Sequence, residues 1–317
     1  MPRELPSNNI SGNAVELSRK IESISEIEKE VFALIIPRFN DLRIDTEEFE
    51  GVYTKEEIER DRHSVEKKKG NLDPSDPSLQ RAQILEALLA EQIELSEWFG
   101  EDVLTIVPSE YDDLYHGVDI TAEFQIDRTL KYLGLGIDIT SSPGSINKKV
   151  EKVKDHIRDG SLTEMKYFTS ERLPDFHGRM ANIPNTIIGT DVRTIRELCA
   201  LWLTVYKAKH PAGGLNKEEI GELKEKAREA QQKLARHRIQ VLLLTQIRDQ
   251  LIVYREYAQT YTVLDKKSEI LEKYDNLIKL VSDALAKKKV SKTDEILNES
   301  DDVYRALRKE MDNFSSS

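Results

Sequence analysis

Hydrophobic and polar positions alternate most regularly between residues 109 and 157, and this stretch predicts two strands and a helix. In residues 118–124, Val118, Ile120, Ala122 and Phe124 fall on one face and Asp119, Thr121 and Glu123 on the other, because successive side chains of an extended chain point to opposite sides. In residues 133–140, Leu133, Leu135, Ile137 and Ile139 share a face, leaving Gly134, Gly136, Asp138 and Thr140 opposite. Paired as neighbours, the two strands point Asp119 and Asp138 the same way, and the glycines predict that their face is closely approached by a helix or a ligand. Downstream, Ile146, Val150, Val153 and Ile157 are spaced i, i+4, i+7, i+11, the stripe of an amphipathic helix. Lys149 and His156 lie along one edge of that stripe and Lys154 along the other.

The same reading places an amphipathic helix from Asn13 to near Pro37 on Val15, Leu17, Ile21, Ile24, Ile27, Val31, Leu34 and Ile35, after a polar, disordered start over residues 1–11. A charged helix capped by Thr54 runs over residues 54–69, with His63 solvated, and the turn-rich GNLDPSDPS closes the arm. Ser78 is the expected cap of a helix to about Phe99, with Ile84, Leu85, Leu88, Leu95 and Phe99 inward. Short strands are expected at 103–107, 164–168 and 183–189, then a helix over 192–209 that buries Trp202. After the break KHPAGGLN come helices over 217–236, 239–261, 267–287 and 293–311.

This order predicts an α/β fold, a central mixed sheet flanked by helices. An N-terminal helical arm (1–78) precedes the α/β core (79–210), and a C-terminal helical region (215–317) follows it. The apolar cluster Val241, Leu242, Leu243, Leu244, Ile247, Leu251 and Ile252 is too broad for an exposed helix. It must pack on the core, on another helix or on a second subunit, so self-association or a protein partner through the C-terminal helices is an expectation.

Charge narrows the partners. The net charge of −11 on 317 residues comes from an acidic excess before residue 211, the remainder being balanced. A protein that grips nucleic acid by phosphate neutralisation carries a basic excess, so the balance counts against strong non-specific binding. The short run Lys287, Lys288, Lys289 and Lys292 reads as a solvated helix end. No apolar run reaches the eighteen or so residues of a membrane span, and MPRELPSNNIS lacks the regions of a signal peptide, so cytoplasmic residence without membrane attachment is expected. A single cysteine, Cys199, excludes an intramolecular disulfide and a thiolate metal cluster. The chain has no GxxxxGK[ST] or GxGxxG phosphate loop and no histidine pair at ligand spacing, which argues against an NTPase or dinucleotide enzyme.

Two ionised carboxylates about 4 Å apart repel by about 4 kcal/mol at an effective dielectric of 20. A divalent cation relieves that, and Mg²⁺ or Mn²⁺ suits a carboxylate pair completed by waters and phosphate oxygens. The alternative is that the acids are splayed, solvated or paired with lysines. Gly117-Val118-Asp119 and Asp138-Ile139-Thr140, followed by a helix, resemble the two motif elements of the PD-(D/E)xK nuclease superfamily over roughly residues 80–190. The chain is also similar to uncharacterised proteins predicted from candidate-phylum bacterial genomes, a likeness that implies no activity.

The nuclease resemblance implies a restriction-endonuclease-like core, metal ligation by Asp119 and Asp138, and metal-dependent phosphodiester hydrolysis of nucleic acid. It makes Glu91 on the first core helix, Asp113 and Glu123 further candidate metal ligands. Thr140 stands where that family keeps its lysine, and a hydroxyl supplies no positive charge. Lys149 is the candidate replacement; failing that, the domain is an inactive, nuclease-like interaction or scaffold protein. His116, beside Gly117, is a weaker acid-base candidate, and the adjacent Asp112 and Asp113 read as a solvated turn.

Overall fold

Capping chemistry sets the helix starts. In the computed structural model, which describes residues 23–125, 132–173 and 175–315, Ser25 and Glu28 form a reciprocal capping box that opens α1 (Glu26–Asn40). Val15, Leu17 and Ile21 lie outside the described residues. The helix passes the expected stop at Pro37 and ends at Asn40, because a proline in the last turn forfeits only one intrahelical bond. Thr54 and Glu57 cap α2 (Lys55–Lys69) as the sequence predicts. Asp76, rather than Ser78, caps α3 (Pro77–Leu95): its Oδ1 accepts the Ser78 N–H at 2.8 Å, with Pro77 in the first helical position.

Three strands, β1 (Leu104–Ile106), β2 (Ile120–Gln125) and β3 (Tyr132–Thr140), run antiparallel. α4 (Ile146–Asp159) buries its predicted stripe, Ile146, Val150, Val153 and Ile157. A separate hairpin of β4 (Thr163–Thr169) and β5 (His177–Ile183) follows. β6 (Asn185–Gly189) then pairs parallel to β3, giving the mixed order β1-β2-β3-β6. The single strand expected at 183–189 is therefore two, divided at Pro184. β5 escaped notice because its outward residues, such as Arg179 and Ala181, are exposed and leave no apolar alternation.

The glycine face is indeed closely approached, by the hairpin: a Cβ on Gly134 would stand 2.8 Å from Met180 Cε. The expected alternation fails at one point. Ile120 pairs with Ile137, yet the Asp119 N–H also reaches the Ile137 carbonyl at 2.9 Å, so two residues oppose one, as in a β-bulge. Val118 is thereby turned away from the Ile120 face and packs with Ile106, Met165, Phe168 and Ile183.

Beyond the sheet lie α5 (Val192–Lys209), α6 (Lys217–Ala235), α7 (Ile239–Tyr261), α8 (Leu264–Ala286), α9 (Lys292–Glu299) and α10 (Asp302–Ser315). The helix expected over 293–311 is broken at the fully buried Asp301. Its carboxylate accepts from Thr190 Oγ1 (2.7 Å) and from the backbone N–H of Asp191 (2.8 Å) and Tyr304 (3.0 Å). One continuous apolar core joins α1, α3, the sheet, α4, α5, α7, α8 and α10. The broad apolar face of α7 is spent inside this core, with Leu242, Leu243, Leu244, Ile247 and Leu251 buried. Among the described residues no helix is long and apolar enough to cross a membrane.

α7 also completes the sheet. Gln246 accepts the Gly189 N–H and donates to the Gly189 carbonyl, both at 2.9 Å. Gln250 does the same for Ile187, at 2.9 and 2.6 Å. Residues four apart on a helix thus meet residues two apart on a strand, since both spacings span about 6–7 Å. The free edge of β6 is paired as though another strand lay there.

Replacing both glutamines by leucine strips partners from the N–H and C=O of Ile187 and Gly189, at about 1–3 kcal/mol for each orphaned group. Urea unfolding of that double variant is expected to show a loss on the order of 4 kcal/mol or more. A transition midpoint matching the native protein would refute the pairing.

Candidate functional site

At the end of the sheet where β2 begins and β3 ends, acids from several elements converge on one lysine. The bulge leaves the Ile139 N–H without a regular ladder partner, and Asp119 Oδ2 accepts it at 2.5 Å. The carboxylate is thereby pinned beside Asp138, one residue along β3. From α4, Lys149 Nζ donates to Asp138 Oδ1 and, at 2.9 Å, to the Ile139 carbonyl. Lys149, the candidate replacement read from the sequence, is thus directed at Asp138. α3 contributes Glu86, and the π-helical turn Asp112–His116 contributes Asp113, which is ion-paired at 2.8 Å to Arg43.

These groups perturb one another. Burial, reinforced by Asp113 and opposed by Arg43 and Lys149, pushes the Glu86 carboxyl up to about 8. Asp119 is raised well above the ordinary carboxylate range by burial, with Glu86, Asp138 and Asp113 adding to it and Lys149 opposing. Burial raises Asp138 as well, in spite of Lys149 and Lys152. For Lys149 burial works against the charged form, but Asp138 and Asp119 outweigh it and the ammonium is held above its usual value. Burial of excess negative charge is the common cause.

The other sequence candidates stand apart from this cluster. Glu91 is turned to α5, where Trp202 Nε1 donates to its two carboxylate oxygens at 3.3 and 3.1 Å. Glu123 lies at the far end of β2 and accepts from Ser170 Oγ at 2.5 Å. Thr140 closes the turn after β3: its Oγ1 accepts the Ser142 N–H at 3.1 Å and lies 2.9 Å from Ser145 Oγ, which fixes the approach to α4 and hence the origin of Lys149.

The solvated turn expected at Asp112 and Asp113 is not found. Asp112 is fully buried and accepts from Ser109 Oγ (2.8 Å), Lys166 N (2.6 Å) and Tyr167 N (3.0 Å), tying the turn to β4. His116 Nδ1 lies 2.7 Å from Asp112 Oδ1, and its Nε2 is 3.7 Å from Glu164.

Glu86 and Arg43 were missed by sequence reasoning. For Glu86 the signal was there: it is the one charged residue in the apolar run ILEALLA, and every residue of that run is buried. Glu91 drew attention instead because it sits at the edge of the stripe. Arg43 has no such signature, since it lies in the irregular segment after α1 and reaches Asp113 through tertiary packing alone.

The donor set is all carboxylate oxygen, the chemistry of a hard divalent cation. Among the described residues no group of three or more His, Cys, Asp or Glu side chains is arranged to hold a metal ion by itself. Mg²⁺ does not require one, because it is held by one or two carboxylates together with waters and phosphate oxygens. Compared with known proteins, the chain matches no family model, no curated protein and no solved structure.

A carboxyl whose pKa is raised on folding contributes stability below its unfolded pKa and forfeits it as pH rises through the folded value. For Glu86 that window runs from 4.5 to about 8. With divalent cations chelated, the thermal midpoint of the native protein is expected to drop from pH 5 to pH 9, and Glu86→Gln to flatten that drop. Parallel pH profiles for the two proteins would contradict the burial of a proton-binding Glu86.

Proposed function

We propose that the protein is a metal-dependent phosphodiesterase acting on nucleic acid, a divergent member of the PD-(D/E)xK superfamily with a restriction-endonuclease-like core. The observation that carries this reading is the placement of Lys149 Nζ on Asp138 Oδ1 and the Ile139 carbonyl, beside Asp119. It supplies from α4 the positive charge that Thr140 cannot provide. The order of α3, three antiparallel strands, α4 and a parallel fourth strand supports the same assignment.

Asp119 and Asp138 would hold a Mg²⁺ or Mn²⁺ ion, with Glu86 adjoining. The ion, when bound, lowers the pKa of a coordinated water and stabilises charge on phosphoryl oxygens. Lys149 orients the attacking water and balances the negative charge that develops on the phosphoryl group. Asp113 is neutralised by Arg43 and keeps the turn against the site. Thr140 acts on Lys149 only by fixing the turn that leads into α4.

A second reading is favoured by one specific observation. Lys149 already neutralises Asp138, and Asp119 accepts a backbone N–H, so the cluster has internal partners for its charges. On that reading the domain is an inactive, nuclease-like scaffold, and the acids are a structural network.

Mn²⁺ binding measured by paramagnetic resonance separates the two. Stoichiometric binding is expected in the native protein and its loss in Asp119→Ala and in Asp138→Ala, each shown by circular dichroism to remain folded. In hydrolysis of single- and double-stranded DNA and RNA, Lys149→Met is expected to lose at least about a hundredfold in rate, the scale of removing one charge-stabilising group. Absence of site-dependent Mn²⁺ binding at millimolar metal would leave the scaffold reading in place.

A further inference from the structure

Among the described residues β1 is an outer strand of the sheet, and two substitutes for a neighbour guard its far edge. The Ile44 N–H donates to the Val107 carbonyl at 3.1 Å, within the parallel bridge of Arg43 to Val107. Glu94 Oε1, from α3, accepts the Thr105 N–H at 2.8 Å. The edge of β6 is sealed by buried glutamines, whereas Glu94 is exposed. Its carboxylate can turn into water and yield the Thr105 N–H to the main chain of another strand. A groove of about 670 Å³ borders this edge, within the usual size of a ligand pocket.

The two walls of the groove differ in chemistry. Thr105 shares a face with Ala122 of the main core, and on that side α1 and α3 supply Ile35, Phe39, Ala87 and Ala90. Leu104 and Ile106 take the opposite face, opposed by Glu123 and Thr121. On that side stand the short 3₁₀ turn Thr46–Phe49 and the end of β4, which bring Glu48, Thr169 and Glu171. The turn is held against β5, with His177 Nε2 3.2 Å from the Glu48 carbonyl oxygen. Glu48 and Glu171 are exposed, and among the described residues neither is in an ion pair. Of the basic lining residues, Arg38 and Lys209 belong to α1 and α5, and Arg43 is already paired with Asp113. Leu42 and Leu95, each 64% exposed, also line the groove, an apolar surface that a monomer leaves in water.

We propose that this groove receives an extended segment of a partner protein, which pairs with the edge of β1 and alternates apolar with basic residues. A strand laid along that edge sends successive side chains to opposite faces, so one set meets the apolar wall of α1 and α3 and the other meets Glu48 and Glu171. Main-chain hydrogen bonds supply affinity, and the two unlike walls supply specificity. Arg38 and Lys209 repel a basic residue from the apolar side and so fix which way the segment faces. The groove uses none of Glu86, Asp119, Asp138 and Lys149, and it stands whether or not the acid cluster is hydrolytic.

The test is fluorescence anisotropy of the full chain with a fluorescein-labelled peptide of alternating valine and lysine, seven residues long. Saturable binding is expected, and the double variant Glu48→Lys with Glu171→Lys, shown by circular dichroism to be folded, is expected to weaken it about tenfold or more. The same variant should instead take up the peptide in which glutamate replaces each lysine. N-methylation of one alternate set of peptide amides, the set facing β1, should abolish binding without altering the charge of the peptide. No saturable binding at millimolar peptide would overturn the proposal, as would equal binding by the charge-reversed variant or binding that survives methylation of either set. Sedimentation of the native protein as a dimer that the same double substitution disperses would place a second copy in the groove and overturn the partner segment.

Discussion

Buried negative charge is the constraint around which this molecule is arranged. Glu86 and Asp119 are withdrawn from bulk water at one end of the sheet, with Asp138 half-buried beside them, and carboxylates so placed must be protonated, paired or bound to a cation. The protein meets part of that demand covalently distant but spatially close: Lys149 comes from the helix after β3, Arg43 from the segment after α1. Each supplier is fixed by something else. The Thr140 turn sets α4, and the parallel bridge of Arg43 to Val107 sets the arm against the sheet. The acids thus connect parts of the chain that the sequence presents as separate segments.

A single extra residue in β2 gives the site its shape. The bulge at Asp119 frees the Ile139 N–H to be capped by a side chain, and it also rotates Val118 into the cluster under the β4–β5 hairpin. The same irregularity therefore locates an acid and anchors the layer that covers the glycine face. Gly134 has the matching duty on β3, since a Cβ there would stand 2.8 Å from Met180 Cε and the methionine would have to shift.

Much of this was legible, for identifiable reasons. Strong periodicity at Ile146, Val150, Val153 and Ile157 fixed α4 and with it the edge on which Lys149 lies. The glycine pattern of β3 announced a close neighbour but not its identity, because β5 is exposed on one side and has little apolar content. The bulge was invisible, since nothing in Gly117-Val118-Asp119-Ile120 distinguishes two residues opposite one from regular pairing. Glu86 could be seen in hindsight as a charge in an unbroken buried run, whereas Arg43 acquires its meaning only from a contact made across 70 residues of chain. Asp112 illustrates the opposite error: two acids in a turn ordinarily face water, and only the packing of β4 over that turn makes one of them a buried hub.

The pairing of β6 with Gln246 and Gln250 has a consequence in time. During synthesis the sheet can assemble once Gly189 has emerged, but the outer edge of β6 lacks its complement until Gln250 follows, 63 residues after Ile187. At roughly 5–20 residues per second that interval lasts about 3–12 seconds. Throughout it the nascent core offers an unoccupied strand edge to whatever extended chain is nearby, so the vulnerable stage in the life of this fold is its birth.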